Sequence, residues 1–84
     1  MENAALQKIG QTVAQLRKEA GFSQEGFATY AKIERARFGR IERGELNISM
    51  KALFRLAFYL EVRPEVLLSG ITVSDYALED ATPS

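Results

Sequence analysis

Apolar residues recur every three or four positions along most of this chain, and the recurrence is broken at short intervals. The breaks fall at Gly21, at residues 32–34, at Gly44 and at Arg63-Pro64-Glu65. They leave no room for a long helix and predict a series of short ones, each with an apolar stripe to bury. With 84 residues the chain makes one small domain. A domain of this size buries a modest core and has little depth for a catalytic cleft.

The first helix is expected over residues 4–20, with Leu6, Ile9, Val13, Leu16 and Ala20 on one face, and Gly21 stops it. Ser23 is a good N-cap for a second helix, about 24–31, whose apolar face is Phe27, Ala28 and Ala31. A third fits 35–43: Phe38 and Ile41 turn inward, while Arg35, Ala36, Gly39, Arg40 and Arg43 face outward. Asn47 or Ser49 caps a fourth, about 50–61, with Met50, Leu53, Phe54, Ala57 and Leu60 as its inward stripe. Pro64 suits the first position of a last short turn or helix over 64–69. Residues 1–70 thus form the domain and 71–84 a tail. In the tail Ile71-Thr72-Val73 has strand-like composition, and Ala81 to Ser84 are expected to fray.

Composition removes several chemistries. There is no Cys and no His, which excludes thiolate metal sites, thiol nucleophiles, imidazole zinc sites and Ser-His-Asp catalysis. The carboxylates of Glu61 and Glu65, or of Asp75, Glu79 and Asp80, are scattered, and no glycine-rich phosphate loop accompanies them. The chain is therefore expected to be no enzyme and to carry no cofactor or metal. The apolar runs fall far below the ~18 residues of a membrane span, and Met1-Glu2-Asn3 does not open a signal peptide. A cytoplasmic protein with no membrane partner is expected.

Zero net charge conceals an asymmetry. Residues 1–44 carry eight Lys or Arg against five Glu, and residues 45–84 carry three against six acids. Four arginines lie between Arg35 and Arg43. A run of this kind is either a solvated helix face or a local anion-binding patch.

Two short helices joined by a tight turn, the second basic on its outer side, form the helix-turn-helix pattern. The steep crossing needs a small residue, supplied by Ala28, and Ile33 in the turn to plug it. Residues 6–69 resemble the lambda-repressor-like, Cro/cI-type helix-turn-helix domain, also called the XRE family. The resemblance rests on Leu16-Arg17 with Gly21-Phe22-Ser23-Gln24, on Arg40-Ile41-Glu42-Arg43-Gly44, and on Leu53, Ala57 and Leu60 followed by Pro64-Glu65-Val66-Leu67-Leu68. The run ERGELNISMKAL is also similar to the small controller proteins of restriction–modification systems.

The resemblance implies an all-α, five-helix, lambda-repressor-like domain with a central helix-turn-helix that binds specific double-stranded DNA and regulates transcription. It implies that Gln24 meets a phosphate, and that Arg35, Ala36, Gly39 and Arg40 face base edges from the third helix. Arg43, with backbone N–H groups up to Asn47, would clamp phosphate, and Arg17 with Glu42 would join the first helix to the third. Arg40 is expected to pair with guanine. Arg35 is left between base and phosphate, and Arg37 between Glu34 and a phosphate. Two positions depart from the family pattern. Lys32 stands where Gly is usual in the turn, at a cost of ~1 kcal/mol if left-handed, and Glu34 is a poor cap for the third helix. Gly39, in place of a more common Ser, would let the backbone approach DNA closely.

One recognition helix reads too few base pairs to find one site among ~10⁶ competitors, so a two-fold homodimer on a palindrome is expected. Residues 58–78 hold more apolar side chains than one short helix can cover. Leu68, Ile71, Val73 and Tyr76 are the expected dimer contact, against the alternative of a tail folded back on its own domain. RNA polymerase is a further candidate partner. A rival reading is an antitoxin-type module that neutralises a toxin-like partner protein and binds its own promoter, with the acidic tail as its second surface.

Overall fold

The structure, a computed structural model, describes residues 3–78. Four α-helices follow one another: α1 (Ala4–Glu19), α2 (Gln24–Tyr30), α3 (Arg35–Glu42) and α4 (Met50–Leu60). Two short 3-10 helices complete the described chain, at Pro64–Leu68 and Val73–Asp75. The fold is all-α, as expected. Its fifth helix is a 3-10 helix, and the strand-like composition at Ile71–Val73 leads instead into a 3-10 turn, because among the described residues there is no strand to pair with it. The acidic end of the tail lies outside the described residues.

Local chemistry explains the boundaries. The side chains of Asn3, Ser23 and Ser49 each accept a hydrogen bond from the backbone N–H three residues on, which satisfies one orphan donor of α1, α2 and α4. Glu34 makes no such bond at the start of α3. Helices α1, α2 and α3 end alike: each has a pair of bonds running back from the two residues after the cap to carbonyls of the last turn. The left-handed residue of this motif is Gly21 after α1 and Gly44 after α3, but after α2 it is Lys32, with φ 59°. The turn therefore keeps the geometry a glycine would give, with a side chain in the strained region.

The core joins Ile9 and Val13 of α1, Phe27 and Ala28 of α2, Phe38 and Ile41 of α3, Leu53, Leu56 and Ala57 of α4, and Leu67 of the first 3-10 helix. Burying one such Phe, Ile or Leu contributes about 1.5–3 kcal/mol. The inward stripe of α4 differs from the expected one. Met50 and Phe54 are exposed, and Leu56, fully buried, takes the inner position. Phe58 is exposed as well, so Met50, Phe54 and Phe58 form an outer apolar stripe at four-residue intervals. Ala20, expected inside, is exposed.

Two glycines set the spacing of α1 and α3. A Cβ on Gly10 would stand 2.3 Å from the Glu42 carbonyl oxygen and 2.6 Å from that of Ile41. One on Gly44 would stand 2.7 Å from the Gln7 backbone. The two helices approach backbone to backbone, which only glycine permits.

Candidate nucleic-acid interface

Helices α2 and α3 cross where Ala28 is buried, and the half-buried Ile33 packs against the core beside them. Phe38 and Ile41 are buried, so α3 turns its opposite side to solvent. On that side Gln24, Arg35, Ala36, Gly39, Arg40 and Arg43 line one shallow concavity. Six of the residues expected to meet DNA are thus neighbours in space, although Gln24 comes from another helix.

Beneath the concavity lies a buried polar network. Arg17 Nε donates to Glu42 Oε2 at 2.7 Å, and Arg17 Nη2 donates to Glu42 Oε1 at 3.1 Å. Arg17 Nη1 donates to the Phe22 carbonyl at 2.9 Å. Gln24 Nε2 donates to the same Glu42 Oε1 at 2.8 Å. One carboxylate therefore holds α1, the start of α2 and the end of α3. The link from Gln24 to Glu42 has no local sequence signal, since 18 positions separate the two residues.

Gly39 lies under the side chains of its neighbours. It is buried, and a Cβ on it would lie 3.2 Å from Arg43 Nη1 and 3.6 Å from Gln24 Oε1. Those two side chains roof its backbone, so DNA would have to displace them to approach it. Arg35, Ala36 and Arg40 are exposed.

The arginines of this face carry acidic partners. Arg35 lies 3.7 Å from Glu25, and Arg40 lies 3.9 Å from Glu45. Arg43 donates to both oxygens of Glu45, at 3.0 and 3.2 Å. The hydrogen bond from Arg43 lowers the Glu45 carboxyl from its ordinary range, and the same bond raises the Arg43 guanidinium.

Two expected phosphate contacts lie elsewhere. Arg37 faces a separate concavity on the other flank of α3, with Glu34 also in its lining. Asn47, in the loop after α3, is exposed, and its side-chain oxygen accepts from the Tyr76 hydroxyl. Tyr76 is therefore turned onto its own domain. Asp75 supports it, accepting from Lys8 Nζ at 2.9 Å and from the Thr72 backbone N–H at 2.8 Å. Of the residues expected at a dimer contact, Ile71 also packs against the core, while Leu68 and Val73 stay exposed at 44% and 81%. Among the described residues no helix is long and apolar enough to cross a membrane.

Known proteins share this fold. A family model described as a helix-turn-helix domain matches residues 8–69. The restriction-modification controller protein C.AhdI from Aeromonas hydrophila is similar, with 37% identity and a TM-score of 0.70 over 74% of this chain and 94% of that one. A mutant of the restriction-modification controller protein C.Esp1396I shows 31% identity and a TM-score of 0.71, covering 80% of this chain and 85% of that one. An HTH_3 family transcriptional regulator from Vibrio cholerae shows 27% identity and a TM-score of 0.71 over 80% of this chain, which spans 38% of that longer protein. No curated protein matches the chain.

Proposed function

The chain belongs to the helix-turn-helix family of DNA-binding transcriptional regulators, and from that premise we propose that it is a dimeric controller that reads a palindromic operator. Helix α3 enters the major groove and α2 lies across the backbone. Arg40 and Arg35 reach base edges beside Ala36, with Gly39 behind them. Gln24 and Arg43 take phosphates of the adjoining strand, and Asn47 takes one beside the loop. The observation that carries this reading is the gathering of Gln24, Arg35, Ala36, Gly39, Arg40 and Arg43 around one concavity from two helices. Similarity to two restriction-modification controller proteins supports the regulatory class.

Dimerism is supported by uncovered apolar surface. Leu68 and Val73 are exposed in the C-terminal third, and so are Met50, Phe54 and Phe58 along α4. Apolar side chains left in water on this scale mark an association surface.

Selection of bound fragments from random or genomic DNA by the purified protein tests the proposal. Enrichment of a two-fold symmetric sequence, with half-sites about one helical turn apart, is the expected result. Recovery of bulk DNA without enrichment would overturn it.

A further inference from the structure

The loop between α3 and α4 is anchored by alternate residues. Leu46 and Ile48 are half-buried against the core, and Glu45 and Asn47 alternate with them on the exposed side. Gly44, left-handed at φ 74°, seats the start of the loop against the Gln7 backbone. Glu45 reaches back to Arg40 and Arg43. Asn47, two residues on and on the same exposed side, borders the arginine face. This packing fixes the loop backbone but leaves the Asn47 side chain to be set by something else.

A segment beyond the family match sets it. The matching family model ends at residue 69. After it, Ile71 packs against the core, and Thr72 and Asp75 form a capping box around the second 3-10 helix. Asp75 also accepts from Lys8 Nζ of α1 at 2.9 Å. These ties hold the half-buried Tyr76 with its hydroxyl on the Asn47 side-chain oxygen. Burial of apolar surface does not account for the docking, since Val73 and Leu78 on either side of Tyr76 stay exposed. The tail past Ile71 attaches through polar groups, and one of them is aimed at the loop.

A side-chain amide has an acceptor end and a donor end. A hydroxyl on the Asn47 oxygen turns the Nδ2 end away from Tyr76. A DNA phosphate oxygen accepts and does not donate, so only the Nδ2 end can meet it. Resting on the DNA-binding reading above, in which Asn47 meets a phosphate, we infer that Tyr76 is a positioning residue of the DNA interface. It holds the Asn47 amide with its Nδ2 protons presented to the duplex backbone before DNA arrives. A side chain already ordered in the free protein loses no rotamer freedom on binding. The tail thus contributes to the grip without touching DNA, and Asp75 contributes by holding Tyr76 in place.

The test uses the full chain, a duplex carrying its selected site, and a random duplex. Affinity is measured across a salt series for wild type, Tyr76→Phe, Asn47→Ala and the double variant. Tyr76→Phe removes the hydroxyl alone and is expected to weaken binding to both duplexes by a similar factor, about two- to fivefold. In the Asn47→Ala background the same change should have no further effect. The slope of log affinity against log salt should match wild type, because a neutral amide displaces no counterion. Melting curves of each variant confirm that folded chains are being compared.

Asp75→Asn adds a test of sign. Removing a negative charge close to DNA raises affinity through the field alone. Loss of the anchor under Tyr76 lowers it, and a loss is the expected result. A gain would show that the tail acts only through its charge, and the inference would fail. It fails too, with the DNA-binding reading intact, if Tyr76→Phe binds like wild type while Arg43→Ala loses affinity, or if Tyr76→Phe weakens binding equally with and without Asn47. If no duplex binds the wild type, both fail together.

Discussion

Arg17 and Glu42 meet fork to fork, through two hydrogen bonds of 2.7 and 3.1 Å, with both side chains less than a tenth exposed. Replacing Glu42 by Ala leaves the guanidinium buried with only the Phe22 carbonyl as partner. The expected loss is about 3–5 kcal/mol in urea unfolding. Arg17→Met with Glu42→Leu should recover most of it. Because Glu42 also holds Gln24, the double variant should regain stability without regaining DNA affinity. An unfolding curve for Glu42→Ala that overlays wild type would show that the pair contributes nothing.

Arg40 and Arg43 should separate specificity from attraction. Arg40→Ala is expected to weaken binding to the selected site by about 1–3 kcal/mol and to change random-duplex binding little. Arg43→Ala should weaken both alike. Gel-shift titrations that show the reverse pattern would exchange the two roles.

In the proposed complex Glu45 would compete with DNA for both arginines, with which it pairs in the free protein. Its lowered carboxyl stays ionised at neutral pH, held chiefly by the Arg43 hydrogen bond. Glu45→Gln should free Arg43 and Arg40 and raise affinity a few-fold for every sequence tested. Weaker binding would mean instead that Glu45 aims Arg43 at its phosphate.

The turn offers a gain in stability. Lys32→Gly should relieve the left-handed strain and add about 1 kcal/mol, while Glu34→Ser supplies the missing cap for α3 at about 1 kcal/mol. Each should raise the melting temperature by about 4–8 °C. The two should part on DNA: Lys32→Gly removes a cation beside Arg37, and Glu34→Ser removes an acid. Unchanged melting for Lys32→Gly would place the turn in a conformation other than the one seen.

Asp75 ties the tail to α1 through Lys8. Its pKa lies below the ordinary 3.8, first because the Thr72 N–H bonds it and then because Lys8 does. A depressed carboxylate stabilises the folded arrangement above its ordinary value and loses that contribution as pH falls through the depressed one. The contribution of Asp75 to tail docking should therefore be complete above the ordinary carboxylate value and fade as pH falls through the lowered one. Asp75→Asn should release it at neutral pH, seen as altered NMR shifts at Tyr76 and Asn47. No change there would show that Ile71 and the Tyr76–Asn47 bond hold the tail without Asp75.

Helix positions and most core residues were legible because caps and breakers act locally: Ser23, Ser49, Gly21 and Pro64 each stand where the sequence places them. The orientation of α4 was not. Apolar residues occur almost all around it, from Met50 to Leu60, so spacing alone cannot choose between Phe54 and Leu56. Packing in the core cluster with α1 and Leu67 decides for Leu56. The neighbourhood of the candidate site residues followed from outward spacing on α3. The roof over Gly39 did not, because it depends on where Gln24 and Arg43 fold, and neither did the bond between Tyr76 and Asn47, 29 positions apart.

Where Gly10 meets the end of α3, carbonyl oxygens would sit 2.3 and 2.6 Å from any added Cβ. A junction of bare backbone contains no pliable side chain that could yield, and α3 cannot tilt against α1 without separating from it. A stiff reading head passes the work of fitting to the duplex. Bending or narrowing a groove costs an amount that depends on the base steps being deformed, pyrimidine–purine steps being the most compliant. Base pairs that no side chain reaches would then take part in choosing the operator, and the protein would gauge the elasticity of its target along with its letters.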